Sequence, residues 1–97
     1  MNFLENIKIK FAISRITKME KLFDDLKFSF EKSKEEFYKN KNLQRKLKVL
    51  TNYYENGKWL KDYQLDEENL LPKNLKRGIL SQDGIYDFLC EVENREV

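Results

Sequence analysis

Between Ile9 and Phe37 the chain repeats one spacing without a gap. Ile9, Ala12, Ile16, Met19, Phe23, Leu26, Phe30, Ser33 and Phe37 follow one another in steps of three and four, and all but Ser33 are apolar. Such a stripe turns one side of a helix into a seam that must pack lengthwise against other helices. No glycine or proline occurs before Gly57, so the first half of the chain carries none of the strong helix breakers. The spacing predicts one helix over residues 2–38, about 55 Å long at a rise of 1.5 Å per residue.

A second helix follows the polar connection "YKNKN" (Tyr38 to Asn42), with Leu43, Leu47, Leu50 and Tyr54 on one face. It should close near Asn56-Gly57, because glycine readily takes the left-handed conformation that ends helices. Asn-Gly also marks β-hairpins, but the flanking residues do not alternate as strands require. A short loop makes the two helices antiparallel neighbours. The second is about 15 residues long and so reaches only the C-terminal half of the first. Ile9, Ala12, Ile16 and Met19 then need another cover. The pattern assigns that task to a last helix over residues 82–94, with Ile85, Phe88, Leu89 and Val92 inward. Ser81 is its expected N-cap, and Asp83 sets a negative charge at the positive end of its dipole. Gly84 stands where a capping box would have Glu or Gln.

The segment between, residues 58–80, reads as one or two short helical turns ended by the restriction that Pro72 places on Leu71. A further short turn should start at Pro72, with Gly78 just beyond its end. Leu71, Leu75 and Leu80 are expected to face inward. The fold class is therefore all-α: one domain over residues 1–97, made of a hairpin (1–57) and a C-terminal motif with a helix packing back on the first (58–97).

Residue chemistry excludes much. The chain has one cysteine and no histidine, which removes intramolecular disulfides, zinc fingers and the Ser-His-Asp and Cys-His nucleophile pairs. Cys90 reads as a small apolar residue of the last helix. Asp62, Asp66, Glu67 and Glu68 lack the alternation and the sharp glycine turn of a calcium loop. They are expected to meet Lys73, Lys76 and Arg77 across the turn. "LKRG" (Leu75 to Gly78) lacks the further glycines and the Lys-Ser/Thr of a phosphate loop. We expect no catalytic residue, cofactor or metal. With 37% charged residues, no apolar run of the roughly 18 residues that span a bilayer and no secretory leader pattern, a cytoplasmic location without a membrane partner is expected.

Tyr53 to Leu89 also carries a motif. Trp59, Asp62 and Tyr63 are followed by the acidic Asp66 and Glu67, then by Leu71, Pro72, Leu75, Lys76, Arg77 and Gly78. Leu80, Ser81 and Asp83 then precede a helix containing Tyr86. This pattern resembles a small bacterial family known only as a domain of unknown function. The resemblance implies a helical hairpin ahead of the motif and a cytoplasmic bacterial setting, and it brings no activity with it.

Function is expected to lie in contact with another molecule. Residues 1–58 hold 14 Lys and Arg against 8 Asp and Glu, a balance of +6, while residues 59–97 hold 5 against 9, a balance of −4. Leu4, Ile7 and Phe11 form a second apolar face on the first helix, turned away from the main stripe. Either that third of the helix is sandwiched within its own chain or it meets another chain, a second copy included. The expected role is a non-enzymatic protein-interaction module or inhibitor, with Leu4, Ile7, Phe11, Lys76 and Arg77 as contact residues. Its size and style also suit a phage-type anti-defence factor of the anti-CRISPR kind. The competing class is nucleic-acid binding through Lys8, Lys10, Arg15, Lys18 and Lys21 with Lys46 and Lys48. Glu20, Asp24, Asp25 and Glu31 interrupt that basic stripe. The aromatics Tyr53, Tyr54, Trp59 and Tyr63 read as packing and anchoring residues rather than as a stacking platform.

Overall fold

Asn2 opens the first helix by accepting the Glu5 backbone N–H on its side chain at 2.8 Å, one of the four donors that a helix start leaves unpaired. The computed structural model describes residues 2–94. It contains five α-helices: α1 (Phe3–Lys32), α2 (Lys34–Lys39), α3 (Lys41–Glu55), α4 (Lys58–Glu67) and α5 (Gly84–Glu93), with a 3₁₀ turn at Gly78–Leu80 before α5. No strand occurs among the described residues. The molecule measures 49 × 24 × 22 Å, and its long dimension reflects α1, which at 30 residues is about 45 Å long.

The expected single helix over 2–38 is broken at Ser33, the one polar position of the stripe. Ser33 is extended (φ −161°, ψ 107°); its N–H ends α1 on the Ser29 carbonyl, and its hydroxyl accepts the Glu36 N–H at 3.2 Å to start α2. Asn40 repeats the device, ending α2 and accepting the Leu43 N–H at 3.0 Å, so the polar connection shrinks to one residue. The bend swings Phe37 back onto Phe30, with ring centroids 5.1 Å apart. Phe88 of α5 enters edge-on between Phe23, Phe30 and Phe37, at 5.5, 5.8 and 6.4 Å. Edge-to-face pairs of this kind add about 0.5–1.5 kcal/mol each beyond the area they bury.

α3 closes as expected, with Gly57 in the left-handed region at φ +94°. Leu50 and Tyr53 are its buried residues, and α3 returns antiparallel along α1. Three other expectations are corrected. The residues after Gly57 form a ten-residue helix, α4, rather than one or two turns. It ends ahead of Pro72, through Asn69 at φ +58° with the Leu70 N–H reaching the Leu65 carbonyl at 3.0 Å, a left-handed closure of the Schellman type. Gly78 opens the 3₁₀ turn instead of lying past the turn at Pro72. Ser81 is not the N-cap of the last helix: it is extended, Asp83 takes that position, and α5 begins at Gly84. A Cβ on Gly84 would lie 2.6 Å from the Ser81 hydroxyl oxygen, so the glycine makes room for that oxygen.

The cover of α1 is also shared differently. α5 closes over the middle of α1 and over α2 through Phe88. Ala12 and Ile16 are fully buried on the half of α1 that faces α4 and the 3₁₀ turn, the half first assigned to the last helix. Residues 3–6, the first turn of α1, are exposed, while Ile7 and Ile9 in the second are half-buried.

Candidate functional site

Where α1 and α4 meet, the seam is polar at one point. Asp62, fully buried on α4, accepts a hydrogen bond from Arg15 Nε on α1 at 2.9 Å and a second from its Nη2. The Tyr53 hydroxyl of α3 donates to the same carboxylate at 2.7 Å. Three helices are thus tied at one carboxylate. The hydrogen bonds to Asp62 raise the Arg15 guanidinium above its ordinary pKa. Burial, followed by the bond to Asp62, pushes the Tyr53 phenol far up. The group has a charged centre, but both partners of the carboxylate are held in their protonated forms. The arrangement fastens α1, α3 and α4 together.

A second fastening holds the 3₁₀ turn. The buried Glu20 of α1 accepts the Ile79 N–H at 2.7 Å, and the Trp59 indole N–H donates to the Ile79 carbonyl at 2.9 Å. Both backbone groups of this fully buried residue are satisfied by side chains from other helices, as burial demands. A Cβ on Gly78 would approach Glu20 Oε1 to 3.0 Å, which accounts for glycine there. Trp59 stacks on Tyr63 at 5.1 Å, and the Tyr63 hydroxyl accepts from Gln82 at 2.8 Å.

Of the expected ion pairs across the turn, Arg77 with Asp66 forms, and Arg77 also donates to the carbonyls of Pro72 and Leu75. Arg77 therefore shapes its own loop. The exposed Lys76 instead reaches α1, pairing with the half-buried Asp24 at 2.8 Å, while Asp62 is taken by Arg15. Among the described residues no three His, Cys, Asp or Glu side chains gather as metal ligands, and no helix is long and apolar enough to cross a membrane. Of the motif residues, Trp59 and Asp62 lie in the core, Tyr63 is half-buried, and Pro72, Ser81, Asp83 and Tyr86 lie at the surface.

The comparison with families decides kinship. A family model described as a domain of unknown function, DUF4298, matches residues 16–96. The chain belongs to this family. No curated protein and no solved structure matches it. The DUF4298 match includes both Ile79 fastenings, the Phe88 socket and most of the Asp62 group. It begins one residue after Arg15, so the first part of α1 precedes it.

That first part carries three of the exposed large apolar side chains. Phe3 is 75% exposed, and Leu4 and Phe11 are each 66% exposed; Ile7 is half-buried. Leu4 and Phe11 of this face are therefore not buried within their own chain, and Ile7 is so only in part. Beside it, α1 and α4 diverge into an open groove of about 740 Å³, whose apolar lining is Phe11, Met19 and Leu65.

Sequence reasoning missed Glu20 and undervalued Arg15. A signal for Glu20 was present: it lies four residues after Ile16 and three before Phe23, on the buried face, where a carboxylate needs a partner. Arg15 carried no comparable signal, because its partner lies 47 positions away.

Proposed function

We propose that this DUF4298 protein is a non-enzymatic interaction module that acts in the bacterial cytoplasm by occupying the surface of a protein partner. The observation that carries this reading is the exposed Phe3, Leu4 and Phe11 face at the free end of α1. Isolated apolar residues at a surface are ordinary, but a continuous face on a helix that projects beyond its own core is the usual form of a binding surface. The remaining ionic side chains support the same reading in a negative way. Of the basic set expected to serve nucleic acid, Arg15 is engaged with Asp62 and Lys46 lies 3.7 Å from Asp25; Lys76 and Arg77, expected as partner contacts, are likewise paired within the chain. The basic set that would serve nucleic acid is thereby reduced.

The test is site-specific photo-crosslinking in the native host from positions 4 and 11, with position 48 on α3 as control. Protein adducts at the first two positions and none at the third are expected. Background-level adducts at all three would remove the reading. Light scattering of the wild type and Phe11→Lys settles whether the partner is a second copy: a dimer that becomes a monomer would say so. A nucleic-acid role would instead show as affinity that falls steeply with log salt.

A further inference from the structure

We propose that the groove between α1 and α4 is a docking site for an acidic amphipathic helix of a partner protein; this rests on the interaction reading above and specifies its partner. Each helix supplies a pair of cations to the groove: Lys8 and Lys18 from α1, Lys58 and Lys61 from α4. All four are exposed, and none is paired with a carboxylate among the described residues, in contrast to the other cations just described. Glu68 is the sole acidic side chain lining the groove among the described residues. Phe11 and Met19 of α1 and Leu65 of α4 form its apolar lining, with Ser14 and Arg15 between the first two; from Phe11 the exposed face of α1 runs on to Ile7, Leu4 and Phe3. From Phe3 to Met19 this part of α1 spans 17 residues, about 24 Å from first to last.

An apolar face spaced at three and four (Leu4, Ile7, Phe11) that leads into a groove with cations on either side complements one kind of ligand. It is a helix of about four to five turns with apolar anchors at i, i+3 or i+4, and i+7 on one face and carboxylates on its flanks. The charge argues against a second copy in this position, since another α1 would bring its own Lys8, Lys10 and Lys18 against the same cations. A nucleic acid would gain phosphate contacts but would leave Phe3, Leu4 and Phe11 without the stacking geometry of a base platform. The open side of the groove suits a long ligand that lies along it rather than a small molecule enclosed in it.

The experiment uses the full chain and two labelled synthetic helices of about three heptads, with leucine at a and d, and with glutamate or lysine at e and g. Fluorescence anisotropy should show the glutamate helix binding at least about tenfold more tightly than the lysine helix. Two exposed pairs turned from attraction to repulsion are worth about that factor. In Lys58→Glu/Lys61→Glu, where Lys8 and Lys18 then face two new carboxylates, the preference should be lost, and Phe11→Asp should weaken both helices; circular dichroism of each variant verifies that the fold is intact. Equal binding of the two helices, or indifference to the charge reversal, overturns the proposal. So does a lysine-dependent preference for a single-stranded RNA or for vesicles of anionic lipid over the glutamate helix. If neither helix binds while the crosslinks at positions 4 and 11 form, the groove assignment falls and the interaction reading stands. Loss of both removes both.

Discussion

Removing the Asp62 carboxylate is the sharpest test of how this domain is held together. In Asp62→Ala, Arg15 loses its bidentate partner and the Tyr53 hydroxyl loses its acceptor, in a seam where Asp62 itself has no exposure. Breaking a buried ion pair from one side costs about 3–5 kcal/mol. Arg15 retains 26% of its side-chain exposure and can turn partly to water, so the lower end, about 3 kcal/mol, is expected. That is a large part of the roughly 5–15 kcal/mol available to a domain. At about 4–8 °C per kcal/mol for a chain near this length, the midpoint should fall by about 12–24 °C. Urea and thermal unfolding followed by circular dichroism would measure it. The converse variant, Arg15→Met/Tyr53→Phe/Asp62→Leu, removes every polar member together and should recover most of the loss, because no charge is left stranded. A cost below about 1 kcal/mol for Asp62→Ala, the range of an ordinary surface change, would refute the reasoning.

Other changes probe the joints. Ser33→Ala removes the hydroxyl that starts α2 and should cost about 1 kcal/mol in urea unfolding, with no loss of cooperativity. Gly84→Ala should destabilise, since its Cβ would meet the Ser81 hydroxyl at 2.6 Å; adding Ser81→Ala should relieve most of the loss, a coupling that independent sites would not show. Stability should also fall as pH rises above the ordinary tyrosine value of about 10. The Tyr53 phenol is held protonated in the fold by burial and by Asp62, so above that pH the unfolded chain releases a proton that the folded one keeps. Tyr53→Phe should flatten that part of the pH profile while lowering stability near neutrality.

What the sequence made legible was the periodic part. The stripe from Ile9 to Phe37, the closure at Gly57 and the inward face of Ile85, Phe88 and Val92 depend on spacing and on local backbone preference, both of which a string records. The break at Ser33 was half-visible: Ser33 and Glu36 stand at capping-box spacing, but a lone serine inside a strong helical pattern does not decide between bending and continuing. The aromatic packing of Phe30, Phe37 and Phe88, which spans the chain, favours the bend. α4 was underestimated because its own apolar pattern is weak. Its helix is fixed by what Trp59 and Asp62 reach, Ile79 and Arg15, which lie 20 and 47 positions away. The apolar face of Leu4, Ile7 and Phe11 was legible as a face, but only the geometry of α4 shows a groove beside it with lysines on both sides.

Phe88 gives the domain a particular order of completion. The socket of Phe23, Phe30 and Phe37 is built by the first two helices, but the ring that fills it lies near the far end of the chain. On a ribosome, where segments emerge from the N-terminus onward, that socket stays open until α5 arrives. A chain cut ahead of Phe88 would therefore leave Phe23, Phe30 and Phe37 without that ring and their aromatic surface open in the middle of the molecule.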